Sequence, residues 1–286
     1  GGPAVKALED PPLALAALAQ HRLYQLAREH GTTVVLDGQG ADEVLGGYAY
    51  HQRLLIADRV RRGRPGAAAR EVFAIARHEG VSPLRVLSAV AVPPLAARLR
   101  RPLPWLSAGV APRDGAAVQE ARADRGRDPS ALNRQLYWDV RWGNVKIVLG
   151  HTDRSAMAHS IEARVPYFDR ALVEFAFTLP DHYKVGDGQR KRILRDVARP
   201  LLPPEVVDRP DRMGFVLPSA ARTRDLLPDT RAAVAGSGLL SGPWLVRAEA
   251  ERLLDRFAAG DDRRAPEVWR LYALATWARE FDVDLG

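Results

Sequence analysis

The chain has 286 residues, of which 47% are hydrophobic and 27% charged, a balance that supports a folded core. Its formal net charge is +7 and it has no cysteine, which excludes disulfides, thiolate zinc sites and cysteine nucleophiles within the chain. No run approaches the roughly 20 apolar residues that span a bilayer, and no charged-then-apolar leader is read at the start, so the expected location is cytoplasmic.

Among the basic residues only Lys6, Lys146, Lys184 and Lys191 are lysines; the rest are arginines scattered among acids. That mixture reads as a solvated surface. No basic patch interleaved with aromatics is present, so no nucleic-acid partner is expected.

Leu13 to Glu29 predicts a helix, with Leu15, Leu18, Leu23 and Leu26 at near-helical spacing and Gly31 as its stop. Thr32 to Leu36 is β-branched and apolar and predicts a short buried strand, and a helix, strand and glycine turn in succession point to an α/β sheet. Val44 to Val60 continues as helix. From Arg61 the text is rich in Ala, Pro and Arg, with helical fragments such as Ala67 to Arg77 and a loop from about Pro102 to Pro129. Leu84 to Arg101 is basic and apolar, as a membrane-surface segment is, yet Pro93 and Pro94 argue against one continuous amphipathic helix, and no membrane partner is expected.

Leu132 to Ser160, Leu172 to Thr178, Arg190 to Arg199 and Val246 to Ala258 predict further helices. The last helix, Pro266 to Phe281, has proline in its first turn, where the missing N–H costs nothing. It aligns Val268, Tyr272, Ala275 and Ala278 on one stripe, with Leu271 and Leu274 alongside. Three segments follow from this reading: an α/β part over 1–60, which the resemblance described below makes the C-terminal part of a nucleotide-binding core, a helical insertion over 61–130, and a mostly helical remainder over 131–286.

Three stretches carry the chemistry. In VVLDGQGADEVLGGY, Val34 to Tyr48, a strand runs into Gly38-Gln39-Gly40, which exposes backbone N–H groups without Cβ obstruction. At a helix start these donors form an anion site. Asp42 and Glu43 suit the helix dipole, which alone would account for them. A carboxylate beside a phosphate cradle also makes sense if Mg²⁺ lies between, since that ion takes one or two carboxylates plus phosphate oxygens and water. The place fits, because open α/β sheets bind ligands beyond the carboxyl ends of their strands.

The second stretch, His151 to Asp169, holds Asp153, Arg154, Glu162, Arg164 and Asp169. Glu162 and Arg164 stand two apart before Pro166, which predicts an extended segment; the spacing fits a buried ion pair as well as a site. His151 and His159 are assigned to ordinary contacts rather than to a metal. In the third, Gly186 to Pro203, Arg190, Lys191, Arg192 and Arg195 crowd a helix start. Cations there oppose the dipole and are better tolerated beside an anion, although a solvated basic face would look the same.

With Asp208 to Pro218 as a fourth stretch, these motifs resemble in order the synthetase domain of the asparagine synthetase family. The family pattern SGxGxDE-x-x-GGY is similar to Asp37 through Tyr48. Its DR-x-SMA-x-S-x-E-x-R-x-PFLD is similar to Asp153 through Asp169, with Ala156 for Ser and Tyr167-Phe168 for Phe-Leu. K-x-x-LR resembles Lys191 to Arg195, and K-x-GF-x-x-P resembles Arg212 to Pro218. The resemblance implies an α/β fold with a partial parallel sheet of the ATP-pyrophosphatase (adenine nucleotide α-hydrolase-like) type and a large, mostly helical C-terminal portion.

It also implies an ATP- and Mg²⁺-dependent ligase. A carboxylate, aspartate in the namesake, attacks the α-phosphate of ATP, and ammonia from glutamine then displaces AMP. On this resemblance Asp42 is the Mg²⁺ and pyrophosphate ligand, and Lys191 stabilises developing charge. Glu162 orients the substrate amine or takes a proton from ammonia, and Asp37, Gly38, Gln39, Gly40, Glu43 and Arg164 line the cofactor site. Gln39 stands where family members often carry an acid, and Asp37 where a serine is usual. The family's upstream SGGxDS loop and its cysteine-dependent glutaminase domain are not found here, so the chain resembles the C-terminal part of a synthetase, either truncated or completed by another piece, and the isolated chain is expected to form no acyl-adenylate. An intramolecular amide-forming synthetase, of the β-lactam synthetase or lasso-peptide cyclase kind, and a non-catalytic fragment are the alternatives.

Overall fold

The computed structural model describes residues 2–12, 14–98, 103–107, 130–209, 219–239 and 242–283. The stretch resembling K-x-GF-x-x-P and most of the expected 102–129 loop lie outside these residues.

Helix α1 (Gly2–Leu8) leads to α2 (Leu15–Glu29), which stops before Gly31 at φ +80°. The leucine stripe expected on α2 divides. Leu15 and Leu18 pack near Trp269 and Tyr272, whereas Leu23 and Leu26 are exposed. The face that α2 buries is Ala17, His21 and Tyr24.

Strand β1 (Val34–Leu36) pairs in parallel with β2 (Glu162–Arg164), in the register Val34 to Glu162 and Leu36 to Arg164. The strand is shorter than predicted and is not buried, Leu36 being 71% exposed. Val35 points inward, onto the cluster of Tyr24, Ala156 and Ile161. Among the described residues the sheet has two strands, which leaves one β1 edge unpaired there and Val34 and Leu36 without a covering layer.

Helix α3 (Ala41–Leu45) is followed by α4 (Ala49–Arg61), α5 (Pro65–Glu79) and α6 (Pro83–Arg98). The last three pack on one another around Ile56, Val72, Ile75 and Val86. The α6 backbone runs on through Pro93 and Pro94, contrary to the break predicted there. Two intrahelical N–H donors are lost at that point, which makes it the weakest part of the helix.

The predicted helix from Leu132 to Ser160 is two, α7 (Ala131–Arg141) and α8 (Asn144–Met157). Gly143 is the reason. A Cβ there would lie 2.8 Å from the Asp139 Cα, so only glycine lets the chain fold back on the preceding turn. Ser130 caps α7, its hydroxyl accepting the Asn133 N–H at 3.0 Å.

After β2 a 3₁₀ turn (Pro166–Phe168) leads to α9 (Arg170–Thr178) and α10 (Asp181–Lys184). A hairpin of β3 (Val185–Gly186) and β4 (Gln189–Arg190) comes next. Its loop, Asp187-Gly188, has φ of +52° and +78°, the left-handed pair that a two-residue hairpin turn requires. Helices α11 (Arg192–Ala198) and α12 (Pro204–Val207) follow.

The C-terminal core gathers α13 (Ser219–Asp225), α14 (Leu227–Gly236), α15 (Arg247–Ala258) and α16 (Ala265–Glu280). The predicted stripe on α16 is buried, and so are Ala265, Trp269, Ala273 and Thr276, because α1, α13, α14 and α15 all pack against that helix. No helix among the described residues is long and apolar enough to cross a membrane. The fold is α/β and mostly helical, with a small parallel sheet.

Phe257 is wholly buried in the C-terminal cluster with Leu254, Val268 and Leu271. Phe257→Ala is expected to cost about 3–5 kcal/mol in urea unfolding, the transfer free energy plus the cavity left behind. A loss below about 1 kcal/mol would show that this core can collapse around the gap.

Candidate functional site

Three glycines shape the turn after β1. Gly40 has φ +98°, and a Cβ on it would lie 2.5 Å from Phe168 Cε2. Gly46 has φ +76° and abuts Val185, and a Cβ on Gly47 would overlap the Asp42 carboxylate. The Gly47 N–H donates to the Asp42 carbonyl at 2.8 Å, which ends α3 after five residues and fixes the Asp42 backbone.

The Asp42 side chain is 40% exposed, and its Oδ1 lies 3.0 Å from Lys191 Nζ. Lys191 is the N-cap of α11, at φ +49°. The fold thus joins the first and third stretches directly. The cations crowding the start of α11 are answered by carboxylates: Lys191 by Asp42, Arg192 by Asp187, and Arg190 by Glu79 at 2.9 Å.

Glu43 turns the other way. It is buried, and its Oε1 accepts the Tyr48 hydroxyl at 2.5 Å. Burial first, and then Glu43, push the Tyr48 pKa up, so the phenol stays protonated as a donor. Behind it lies a buried network that sequence reasoning missed. The Tyr48 N–H donates to His51 Nδ1 at 3.2 Å, so the His51 proton sits on Nε2 and donates to Asp139 Oδ2 at 2.9 Å. Tyr50 donates to the same oxygen at 2.9 Å, and Gln135 to the other oxygen at 2.9 Å. The only signal in the sequence was the polar, aromatic run Tyr48-Ala49-Tyr50-His51 at a helix start; its partner Asp139 lies on α7.

Asp37 is anchored on every side. Its Oδ2 accepts Tyr24 at 2.9 Å and Gln20 at 3.2 Å, and its Oδ1 accepts the Gln39 N–H at 3.2 Å. Its own N–H donates to the Arg164 carbonyl at 2.7 Å, one step beyond the strand pairing. Burial and the neighbouring Asp37 charge raise the Tyr24 pKa. Asp37, Gly38 and Gln39 edge a cavity of about 520 Å³ whose other walls include Leu23, Leu36 and Ile147.

Glu162 and Arg164 meet each other at 2.8 Å, with side chains 58% and 61% exposed. The pair is extended, as the spacing predicts, but it faces solvent on the uncovered flank of β2 rather than lying buried. Among the described residues no group of three or more His, Cys, Asp or Glu is placed to hold a metal. A hard cation at Asp42 would therefore draw its other ligands from substrate oxygens and water, the usual arrangement for Mg²⁺. The half-exposed Asp42 carboxylate fits that role.

His151 lines the cavity, and His159 Nε2 lies 3.3 Å from His21 Nε2.

The parallel strand pair thus carries, beyond its carboxyl end, a glycine turn, a helix start and an opposed lysine. A profile of the family described as Asparagine synthase matches residues 3–279, and the chain belongs to that family. Asparagine synthetase (glutamine-hydrolyzing) 1 of Bacillus subtilis is 27% identical over 225 residues, covering 73% of this chain and 34% of the relative. A provisionally designated asparagine synthetase (glutamine-hydrolyzing) of Mycobacterium tuberculosis is 28% identical over 285 residues, 94% of this chain and 42% of its own length. The chain therefore spans between a third and a half of the length of these relatives.

Burial lowers the pKa of His21, His78 and His151, with His159 adding to the effect at His21 and Arg195 at His78. The unfolded chain takes up protons at these positions near pH 6.5, the folded chain only further down. Stability is thus fully present above about pH 6.5 and is lost as pH falls toward the depressed folded values. Urea midpoints measured from pH 8 to pH 5 should fall, and the fall should be shallower in His21→Gln; a midpoint that stays level across this range would refute the assignment.

Proposed function

We propose that the chain carries the pyrophosphate-handling part of an asparagine-synthetase-type, ATP-dependent amide-forming ligase. The carrying observation is the Asp42–Lys191 pair across a glycine turn at the end of β1, within a chain of this family. In the reaction a substrate carboxylate oxygen bonds to the α-phosphorus of ATP and pyrophosphate leaves. The ammonia nitrogen then bonds to the acyl carbon, the acyl C–O bond to AMP breaks, and the nitrogen gives up one proton, to Glu162 or to water. Aspartate is the carboxylate proposed, with ammonia derived from glutamine by a domain like that of the relatives.

Bound Mg²⁺ would neutralise charge on the leaving pyrophosphate. Asp42 would hold that ion through its exposed carboxylate. Lys191, already aimed at the same point, would release Asp42 and turn its ammonium onto phosphate oxygens, a fixed cation where negative charge develops. The N–H groups of Gly38 and Gly40 would add neutral donors, that of Gln39 being engaged by Asp37. Glu162 and Arg164, open to solvent at the next strand, would bind the polar end of the acceptor. Glu43 would act through Tyr48, which it anchors. Gln39 is neutral and cannot take a proton, so it would contribute hydrogen bonds alone.

Calorimetric titration of the chain with Mg²⁺ and pyrophosphate tests this reading. Binding should need both, and it should weaken by at least about tenfold in Asp42→Asn and in Lys191→Ala, the loss of one charge-assisted contact each. Equal binding by wild type and both variants would remove the site assignment. In the same preparation, no AMP is expected from ATP and aspartate; AMP release would show that the chain alone suffices for adenylation.

A further inference from the structure

We propose that Glu71, on α5, is the positioning residue for Lys191, and that the α4–α5 layer thereby sets the cation of the site. The functional weight of this inference rests on the reading given above; its geometry does not.

The hairpin turn just before Lys191 is gripped from two sides. The Gly188 N–H donates to Glu71 Oε1 at 2.9 Å, and the Gly188 carbonyl accepts Gln52 Nε2 at 2.9 Å. Glu71 is only 2% exposed, and its other oxygen receives Arg59 at 2.8 Å. A carboxylate so buried and doubly engaged is held in one place. The docking is close, since a Cβ on Gly188 would lie 2.5 Å from the Ala74 carbonyl. On the other limb of the hairpin, Val185 is buried with Leu55 and Leu136.

Two residues on from this grip, Arg190 is tied to Glu79 on the same helix, and Lys191 follows at φ +49°. A lysine adopts that conformation only where its surroundings over-determine it. The grip on Gly188 supplies the determination. Without it the backbone at Lys191 relaxes to negative φ, and the ammonium leaves Asp42.

Limited acylation with N-hydroxysuccinimidyl acetate, read lysine by lysine by mass spectrometry, tests this without substrate. The chain has only Lys6, Lys146, Lys184 and Lys191. Exposed Lys146 is the reference, and Lys184, fully buried, reports general unfolding. In wild type the ion-paired Lys191 should react more slowly than Lys146. In Glu71→Ala its rate relative to Lys146 should rise by about fivefold, the most that a part-exposed ion pair confers, with Lys184 still protected. Glu71→Gln, which keeps an acceptor for the Gly188 N–H, should stay close to wild type.

An unchanged Lys191 rate in Glu71→Ala, while Asp42→Asn raises it, would overturn the proposal. If Glu71→Ala exposes Lys184, Gln52→Leu decides by the same ratio: a rise supports the proposal and no rise overturns it. Should Lys191 respond while pyrophosphate binding ignores Asp42, the positioning stands and the ligase reading falls.

Discussion

Everything in the site depends on the parallel pairing of β1 with β2. A parallel pair cannot be closed by a tight turn; it needs a long crossover, which here is the chain from α3 to α8. The pairing sets the turn of residues 37–40 beside the segment of residues 164–168, one hydrogen bond past the strands, where the Asp37 N–H reaches the Arg164 carbonyl. Gly40 then lets Phe168 close over the turn. That contact is one of several that orient the helix carrying Asp42, whose Val44 and Leu45 also pack with Val140, Ala176 and Ile193.

Around this pairing, charge is placed with few loose ends. Asp37 is held by Tyr24 and Gln20, Glu43 by Tyr48, and Asp139 by His51, Tyr50 and Gln135. Each of these carboxylates accepts hydrogen bonds from packed protein donors. Asp42 differs in meeting a flexible lysine rather than a packed donor. A carboxylate engaged on every side serves as a fastener, whereas one facing a single movable cation can exchange that partner for another. The contrast lies in the surroundings, since all four are ordinary acidic side chains.

How much of this was legible in sequence depends on the range of the physics involved. The glycine turn, the acids at the start of α3 and the apolar stripe of α16 are local patterns, and each appears where it was read. The crowding of cations at α11 hinted at an anion, and the carboxylates of Asp42, Asp187 and Glu79 meet them. Other features depend on distant contacts. The break between α7 and α8 arises from backbone crowding at Gly143, and the inward turn of Glu43 from a tyrosine five residues on. The exposure of Val34 and Leu36 depends on what does not cover the sheet, which no pattern of β-branched residues can report. The His51–Asp139 contact joins α4 to α7, and only the fold reveals it.

Lys191 carries a consequence beyond electrostatics. Outside glycine, its left-handed backbone costs roughly 1–2 kcal/mol, so by folding free energy alone glycine is the better residue there. The chain instead puts a long cationic side chain at a position that disfavours any side chain at all. Stability and charge are in competition at that position, and charge has prevailed. A search for thermostable variants that scored folding alone would select Lys191→Gly, and in doing so would erase the cation that the fold aims at Asp42.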